Sequence, residues 1–306
     1  MNFSFIFPGQ GSQAIGMMGE LAEQHSLVKD LFVEASDVLG VDLWAMTQQG
    51  PIEALSQTEN TQPALLTAGV AAWRVWQSLG GANPNMMAGH SLGEYTALVS
   101  AGALSFADGV TLVRDRGRYM QDAVPAGQGG MAAIIGLDDD KVIEVCAATA
   151  QGDVLQAVNF NAPGQVVIAG SAAAIERATI TMKQAGAKRA LPLPVSIPAH
   201  SSLMSPASEL LAERIAGISV SMPAIPVLHN CNVTVAQSPE EIGANLVSQL
   251  DSPVRWVESV QFMHSQGIEK YIESGPGKVL GGMVKRIVKG VEVACVDKPE
   301  AFSVLI

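Results

Sequence analysis

The sequence predicts an α/β protein whose main layer is a parallel sheet, with a smaller βαββαβ unit inserted near its middle. Two patterns and one bulk property lead there. Short apolar runs of strand length alternate with helical periodicity in the first and last parts of the chain, as expected of strands joined by crossover helices. Between them, from Gly129 onward, the elements become compact and closely spaced. The 306 residues are 48% hydrophobic and 15% charged, enough apolar material for a large core and far from the composition of disordered chains.

Taken in order, residues 3–7 read as a first strand, since no basic segment precedes this short apolar run and no long apolar region follows it. Residues 63–79 read as a helix, capped by Thr61, with Pro63 in its first turn and Gly80 and Gly81 ending it. A short strand at 86–88 precedes a helix that starts after Gly93, and residues 110–120 repeat with helical period. The inserted unit is expected as strand 131–135, helix 138–150, strands 154–158 and 166–169, helix 172–185 and strand 187–193, a ferredoxin-like order. Pro125, Gly127, Gly129 and Gly130 before it and Pro192 and Pro194 after it read as paired crossings between two lobes. Helices near 205–216, 239–250 and 277–288 then alternate with strands near Val227, Tyr271 and Val293, so the larger lobe resumes. The expected division is 1–124 with 196–306 as the large lobe and 125–195 as the small one.

Charge and composition exclude several classes of function. With 18 Lys+Arg against 29 Asp+Glu the net charge is −11, the wrong sign for a nucleic-acid binder. The longest apolar stretch, residues 63–73, falls well short of the ~20 residues of a membrane-spanning helix. Cys146, Cys231 and Cys295 are isolated and form no CxxC pair, and no HxxxH occurs, which argues against a disulfide framework and a metal site and for a reducing cytoplasm.

Gly89-His90-Ser91-Leu92-Gly93 follows a predicted strand and precedes a helix, the setting in which G-x-S-x-G forms a nucleophile elbow. Ser91 would stand exposed at the strand end, with the Leu92 N–H aimed at a reacting carbonyl oxygen. Among five histidines, His25 and His264 lie in polar helical stretches, His229 in a strand and His90 inside the turn. His200, in an irregular segment directly after the inserted unit, is the base candidate that a cleft between lobes could use. Arg116 projects from the middle of the apolar face of its helix, while Arg114 and Arg118 fall on the polar side. A buried guanidinium needs an anionic partner, either a structural Asp or Glu or the carboxylate of a substrate. A rival signal is Gly9-Gln10-Gly11-Ser12-Gln13-Ala14, which matches GxGxxA, with Asp30 and Glu34 placed for a ribose contact. The same glycines could instead bring the Gln10 N–H close to a reaction centre. Gly275-Pro276-Gly277-Lys278 lacks the spacing of a phosphate-binding loop and reads as a turn entering a helix.

Together, the start at residues 5–13, Thr61-Gln62-Pro63-Ala64, the elbow through Glu94, Arg116-Gly117, residues 159–165, His200 and Glu273-Ser274-Gly275-Pro276-Gly277 resemble the malonyl-CoA:acyl carrier protein transacylases, in order along nearly the whole chain. The resemblance implies an α/β-hydrolase-like large subdomain with an inserted ferredoxin-like small subdomain. It implies Ser91 as nucleophile, His200 as base, the backbone N–H groups of Gln10 and Leu92 as oxyanion donors and Arg116 as the malonyl-binding residue. It also implies that the backbone carbonyl of Gln249 orients the histidine in place of a triad Asp. Malonyl-CoA would be a substrate and phosphopantetheine would arrive on the acyl carrier protein, so no cofactor is implied. Ala199 departs from relatives that carry Ser or, in some polyketide-type enzymes, Phe, which leaves discrimination against a methyl branch open. The alternatives are a trans-acting acyltransferase of a polyketide or malonate-decarboxylase system, a serine thioesterase or hydrolase, an NAD-dependent oxidoreductase built on the Gly9 loop, and a non-catalytic docking subunit.

Overall fold

A computed structural model describes residues 2–306. Strand β1 (Phe3–Phe7) opens the chain and four helices follow, α1 (Gly19–Gln24), α2 (Ser26–Leu39), α3 (Leu43–Gln49) and α4 (Ile52–Leu55). Helix α5 (Thr58–Ser78), strand β2 (Met86–Gly89), and helices α6 (Leu92–Ser100) and α7 (Phe106–Asp122) complete the first segment. Next come β3 (Gly129–Ile135), α8 (Asp139–Thr149), β4 (Leu155–Ala162), β5 (Gln165–Ser171), α9 (Ala172–Gln184) and β6 (Arg189–Pro192). The chain ends with α10 (Ser205–Ala216), β7 (Val227–Leu228), α11 (Pro239–Ser248), α12 (Trp256–Ser265), β8 (Lys270–Ser274), α13 (Val279–Ile287), β9 (Glu292–Val296) and α14 (Pro299–Leu305).

Two sheets result. A five-stranded sheet of order β7-β2-β1-β8-β9 is parallel throughout, and a four-stranded sheet of order β4-β5-β3-β6 is antiparallel. The parallel sheet is covered on both faces, so its strands alternate between two cores: Phe5 and Phe7 pack with α2, α5 and α7, and Ile6 packs with Trp256, Tyr271 and Leu280. One face of the antiparallel sheet is sealed by α8 and α9 through Ala132, Ile134, Val166 and Ile168. Its other face carries Met131, Val158, Val167 and Ala169, which pack with Leu193, Val195 and Ala199. Backbone bonds from Phe160 N–H to the Val254 carbonyl (3.0 Å) and from Val254 N–H to the Val158 carbonyl (2.8 Å) tie the two sheets' surroundings together.

Helix α5 begins earlier than its sequence suggests. Gln57 is its cap, Thr61 sits in the first turn and bonds through Oγ1 to the Leu55 carbonyl, and Pro63 lies inside the helix. The missing Pro N–H costs one bond near the helix start, where the buried apolar face of α5 outweighs it. The Gly9 loop does not open a helix, because α1 starts only at Gly19, so the strand-turn-helix setting of a dinucleotide fingerprint is absent. No described helix is long and apolar enough to cross a membrane.

Candidate active site

Parallel pairing sets Phe7 opposite Gly89, so β1 and β2 end at the same edge and release their following residues side by side. That edge is where α/β sheets hold ligands. The turns fit only because glycines allow it: a Cβ on Gly89 would lie 1.9 Å from the Gly93 carbonyl carbon, and one on Gly93 would lie 2.0 Å from the Phe7 carbonyl oxygen. Between them Ser91 adopts φ 52 and ψ −108, a strained backbone that lifts its hydroxyl out of the turn. The Ser91 N–H donates to Asn230 Oδ1 at 2.7 Å, and Asn230 Nδ2 donates to the Gly89 carbonyl at 2.7 Å, so one side chain clamps both sides of the elbow.

His200 reaches the same point from the loop after β6. It is buried, with φ 64, and its N–H donates to the Leu250 carbonyl. Its Nδ1 lies 2.7 Å from the Gln249 carbonyl oxygen, which can only accept, so Nδ1 carries the proton. Nε2 is therefore free to accept from Ser91 Oγ, 2.8 Å away. Burial, and secondarily the Arg116 charge, lower the His200 pKa to about 3, which holds the imidazole neutral.

Arg116 is 1% exposed and donates from Nη1 to Gln62 Oε1 (2.8 Å) and from Nη2 to Gln249 Oε1 (2.9 Å) and Ser91 Oγ (3.1 Å). Its guanidinium also lies over the Tyr95 ring, 5.1 Å from the centroid. Of the two partners the sequence left open, a structural Asp or Glu is not there: among the described residues no carboxylate lies within ion-pair distance of Arg116, and its Nε is buried without a partner. Neutral amide oxygens satisfy part of the fork instead. Arg118 is exposed, as the helical wheel requires, whereas Arg114 is half-buried and donates to the Leu39 carbonyl at the end of α2.

Ser91, His200, Arg116, Gln10 and Leu92 all line one cavity of about 350 Å³, walled on the far side by Met131, Asn159, Leu193 and Val195. Gln249 lies directly behind it, fully buried. The other histidines are elsewhere engaged: His229 Nδ1 donates to Glu94 Oε1 (2.8 Å), His25 packs near Phe302, and His264 is exposed. His90 does face the cavity, with Nε2 2.8 Å from Asn161 Oδ1 and its pKa lowered chiefly by burial. Sequence reasoning assigned no role to Gln62, Glu94, Asn161 or Asn230. Glu94 had a readable signal, a single acid in the otherwise uncharged helix α6, whereas nothing local marks Asn230. No group of three His, Cys, Asp or Glu side chains suited to a metal gathers among the described residues.

Residues 4–296 match the acyl transferase domain family. The malonyl CoA-acyl carrier protein transacylase of Salmonella typhimurium is 55% identical over 301 residues, covering 98% of this chain and 97% of that protein. Its Bacillus subtilis counterpart is 45% identical over 304 residues, covering 99% and 96%. Among solved structures, an acyl carrier protein S-malonyltransferase from Vibrio cholerae superposes with a TM-score of 0.98 at 55% identity, covering all of both chains. A malonyl-transacylase solved in complex with its type II PKS acyl-carrier protein superposes at 0.99 with 52% identity, covering 100% of this chain and 99% of that one.

Proposed function

This chain belongs to the acyl transferase domain family, and from that premise we propose that it transfers malonyl from malonyl-CoA to the phosphopantetheine thiol of an acyl carrier protein, supplying fatty-acid synthesis. The observation that carries the proposal is the convergence on Ser91 Oγ of a neutral imidazole at 2.8 Å and a guanidinium with no protein carboxylate at 3.1 Å. The imidazole makes the hydroxyl a nucleophile, and the guanidinium selects an acyl group that carries its own carboxylate.

In the first half-reaction His200 Nε2 takes the Ser91 proton as Oγ attacks the thioester carbonyl. The N–H groups of Gln10 and Leu92 receive the developing oxyanion, and coenzyme A departs as the thiol after His200 returns the proton to its sulfur. In the second, the carrier thiol gives its proton to His200, attacks the malonyl ester, and leaves as the thioester while Ser91 Oγ recovers the proton. The Gln249 carbonyl stabilises the imidazolium formed in each half without a triad acid. Side chains, backbone groups and substrates carry every step, so no cofactor enters the scheme. We read the parallel-sheet lobe, 1–124 with 196–306, as α/β-hydrolase-like and 125–195 as its ferredoxin-like insert. The second-third-first-fourth strand order of the antiparallel sheet supports the latter reading. Three free cysteines suit a cytoplasmic setting.

The test is covalent labelling. Incubation with malonyl-CoA and no acceptor is expected to add one malonyl mass to the Ser91 peptide, and Ser91→Ala is expected to remain unlabelled while melting like the parent. A stable malonyl adduct in Ser91→Ala would overturn the assignment.

A further inference from the structure

Behind the cavity lies a cluster of buried polar side chains that the transfer scheme leaves unused. Glu94, fully buried on α6, receives three N–H donors: His229 Nδ1 on Oε1 (2.8 Å), and the Asn230 N–H and Gln249 Nε2 on Oε2 (both 2.9 Å). The Gln249 amide is fully committed as well. Nε2 donates to Glu94 and to the Ser91 carbonyl (3.1 Å), and Oε1 accepts from Arg116 Nη2 (2.9 Å). A flipped amide would set NH2 against the guanidinium and oxygen against both a carboxylate and a carbonyl. The carboxylate thus dictates which end of Gln249 Arg116 meets.

We propose that Glu94 and Gln249 act as a positioning pair that aims Arg116 at the substrate carboxylate while withholding a direct salt bridge from it. A carboxylate placed against Arg116 would occupy the bidentate fork and compete with malonyl. A carboxylate one amide away supplies negative charge to the buried cation and anchors Nη2, while the other partners of the fork, Gln62 Oε1 and Ser91 Oγ, are neutral and can yield to a second, exchangeable anion. The arrangement also explains why one residue serves twice: the Gln249 backbone holds His200, and its side chain holds Arg116. This inference rests on the reading of Arg116 as the malonyl-binding residue.

The test compares malonyl-CoA with acetyl-CoA as donors, because a merely structural role would lower transfer of both alike. In Gln249→Leu the backbone carbonyl remains but the amide is gone, and the malonyl-to-acetyl ratio of kcat/KM is expected to fall about tenfold or more, mainly through a higher KM for malonyl-CoA. The double variant Glu94→Gln with Gln249→Glu keeps the net charge and moves the carboxylate next to Arg116. It is expected to lower the ratio further, whereas a role confined to charge balance would be rescued by the exchange. Glu94→Gln alone, nearly isosteric, gives the same readout if Gln249→Leu fails to fold, with a smaller fall expected. Arg116→Ala separates the positioning role of the pair from malonyl binding by Arg116 itself. If it collapses the ratio while Gln249→Leu and Glu94→Gln leave the ratio intact, the positioning pair is wrong and the malonyl reading stands. If Arg116→Ala itself leaves the ratio unchanged, both fall.

Discussion

A histidine held neutral by burial beside a cation behaves differently in acid from one in water. With the His200 pKa lowered to about 3, acyl-enzyme formation is expected to stay level from pH 7 down to about 5, a range over which an imidazole of ordinary pKa 6.5 would lose most of its basicity. In Arg116→Ala one depressing cause disappears while burial, the larger one, remains, so the acid limb should move upward without reaching 6.5. Rapid-quench rates across pH decide this, and an acid limb near 6.5 in the parent would contradict the buried, neutral base. The same depression has a stability consequence. Because the unfolded chain binds a proton that folded His200 refuses, stability falls as pH drops below 6.5 toward 3, so melting must be followed over the same range. Loss of Arg116 should also cost about 2 to 5 kcal/mol in kcat/KM for malonyl-CoA and far less for acetyl-CoA. At this scale the sequence was legible where a residue broke a local pattern. Arg116 interrupts an apolar face and Ser91 sits in a glycine-bounded turn, but Asn230 and Gln62 reach the site only through long-range folding and break no pattern of their own.

Helix α7 carries Arg116 into the cavity, and the residue beside it sets how closely that helix approaches α5. A Cβ on Gly117 would meet the Thr58 carbonyl oxygen at 2.8 Å and Glu59 Cα at 2.9 Å, both backbone atoms of the first turn of α5 that cannot swing aside. Gly117→Ala is therefore expected to cost about 1–3 kcal/mol in urea unfolding and to depress malonyl transfer by displacing Arg116. Gly282 on α13 is the control. Nothing lies within 4 Å of its added Cβ, so Gly282→Ala should be neutral or stabilise by about 0.5–1 kcal/mol. Equal unfolding midpoints for the two variants would show that the α5–α7 approach is not tight. The same contact explains a misplaced boundary. Proline near a helical run reads as a helix start, yet Thr58 and Glu59 are helical because packing on Gly117 and α7 extends α5 by five residues before Pro63. Periodicity located the strands and helices of the antiparallel unit to within a few residues, since its two helices each bury one face and β5 is a continuous apolar run buried on both. It gave bounds to none of α1 to α4, α12 or α14, although the stretches around His25 and His264 read as helical. Helices α1, α3 and α4 are only 6, 7 and 4 residues long, too short to show a period, although the spacing of Val28, Leu31, Phe32 and Ala35 in α2 is a readable amphipathic signal.

Across the whole molecule, charge and architecture bear on how an acidic carrier protein is received. The chain carries −11, so an acidic partner needs a local concentration of cations. Exposed Lys188 and Arg189 lie on the antiparallel unit, and exposed Lys278, Lys285, Arg286 and Lys289 lie on and around α13. Arg286 joins the two regions by donating to the Pro163 carbonyl (2.9 Å) in the turn between β4 and β5 and to Gln165 at the start of β5. The cavity opens between the same two sheets, lined from one side by the elbow and from the other by Met131, Asn159 and Leu193. In the proposed reaction a phosphopantetheine arm delivered there would meet Ser91, with water competing for the ester. In the proposed cycle the protein stores malonyl on Ser91 and yields it to a thiol. The most direct measurement isolates the enzyme carrying radiolabelled malonyl, adds holo-carrier protein in a single turnover, and follows the label. The expected result is quantitative passage of label to the carrier's phosphopantetheine thiol, with little free malonate and no transfer to the apo-carrier. Release of the label as malonate at a rate indifferent to the carrier would rule out a thiol acceptor and make the protein a hydrolase.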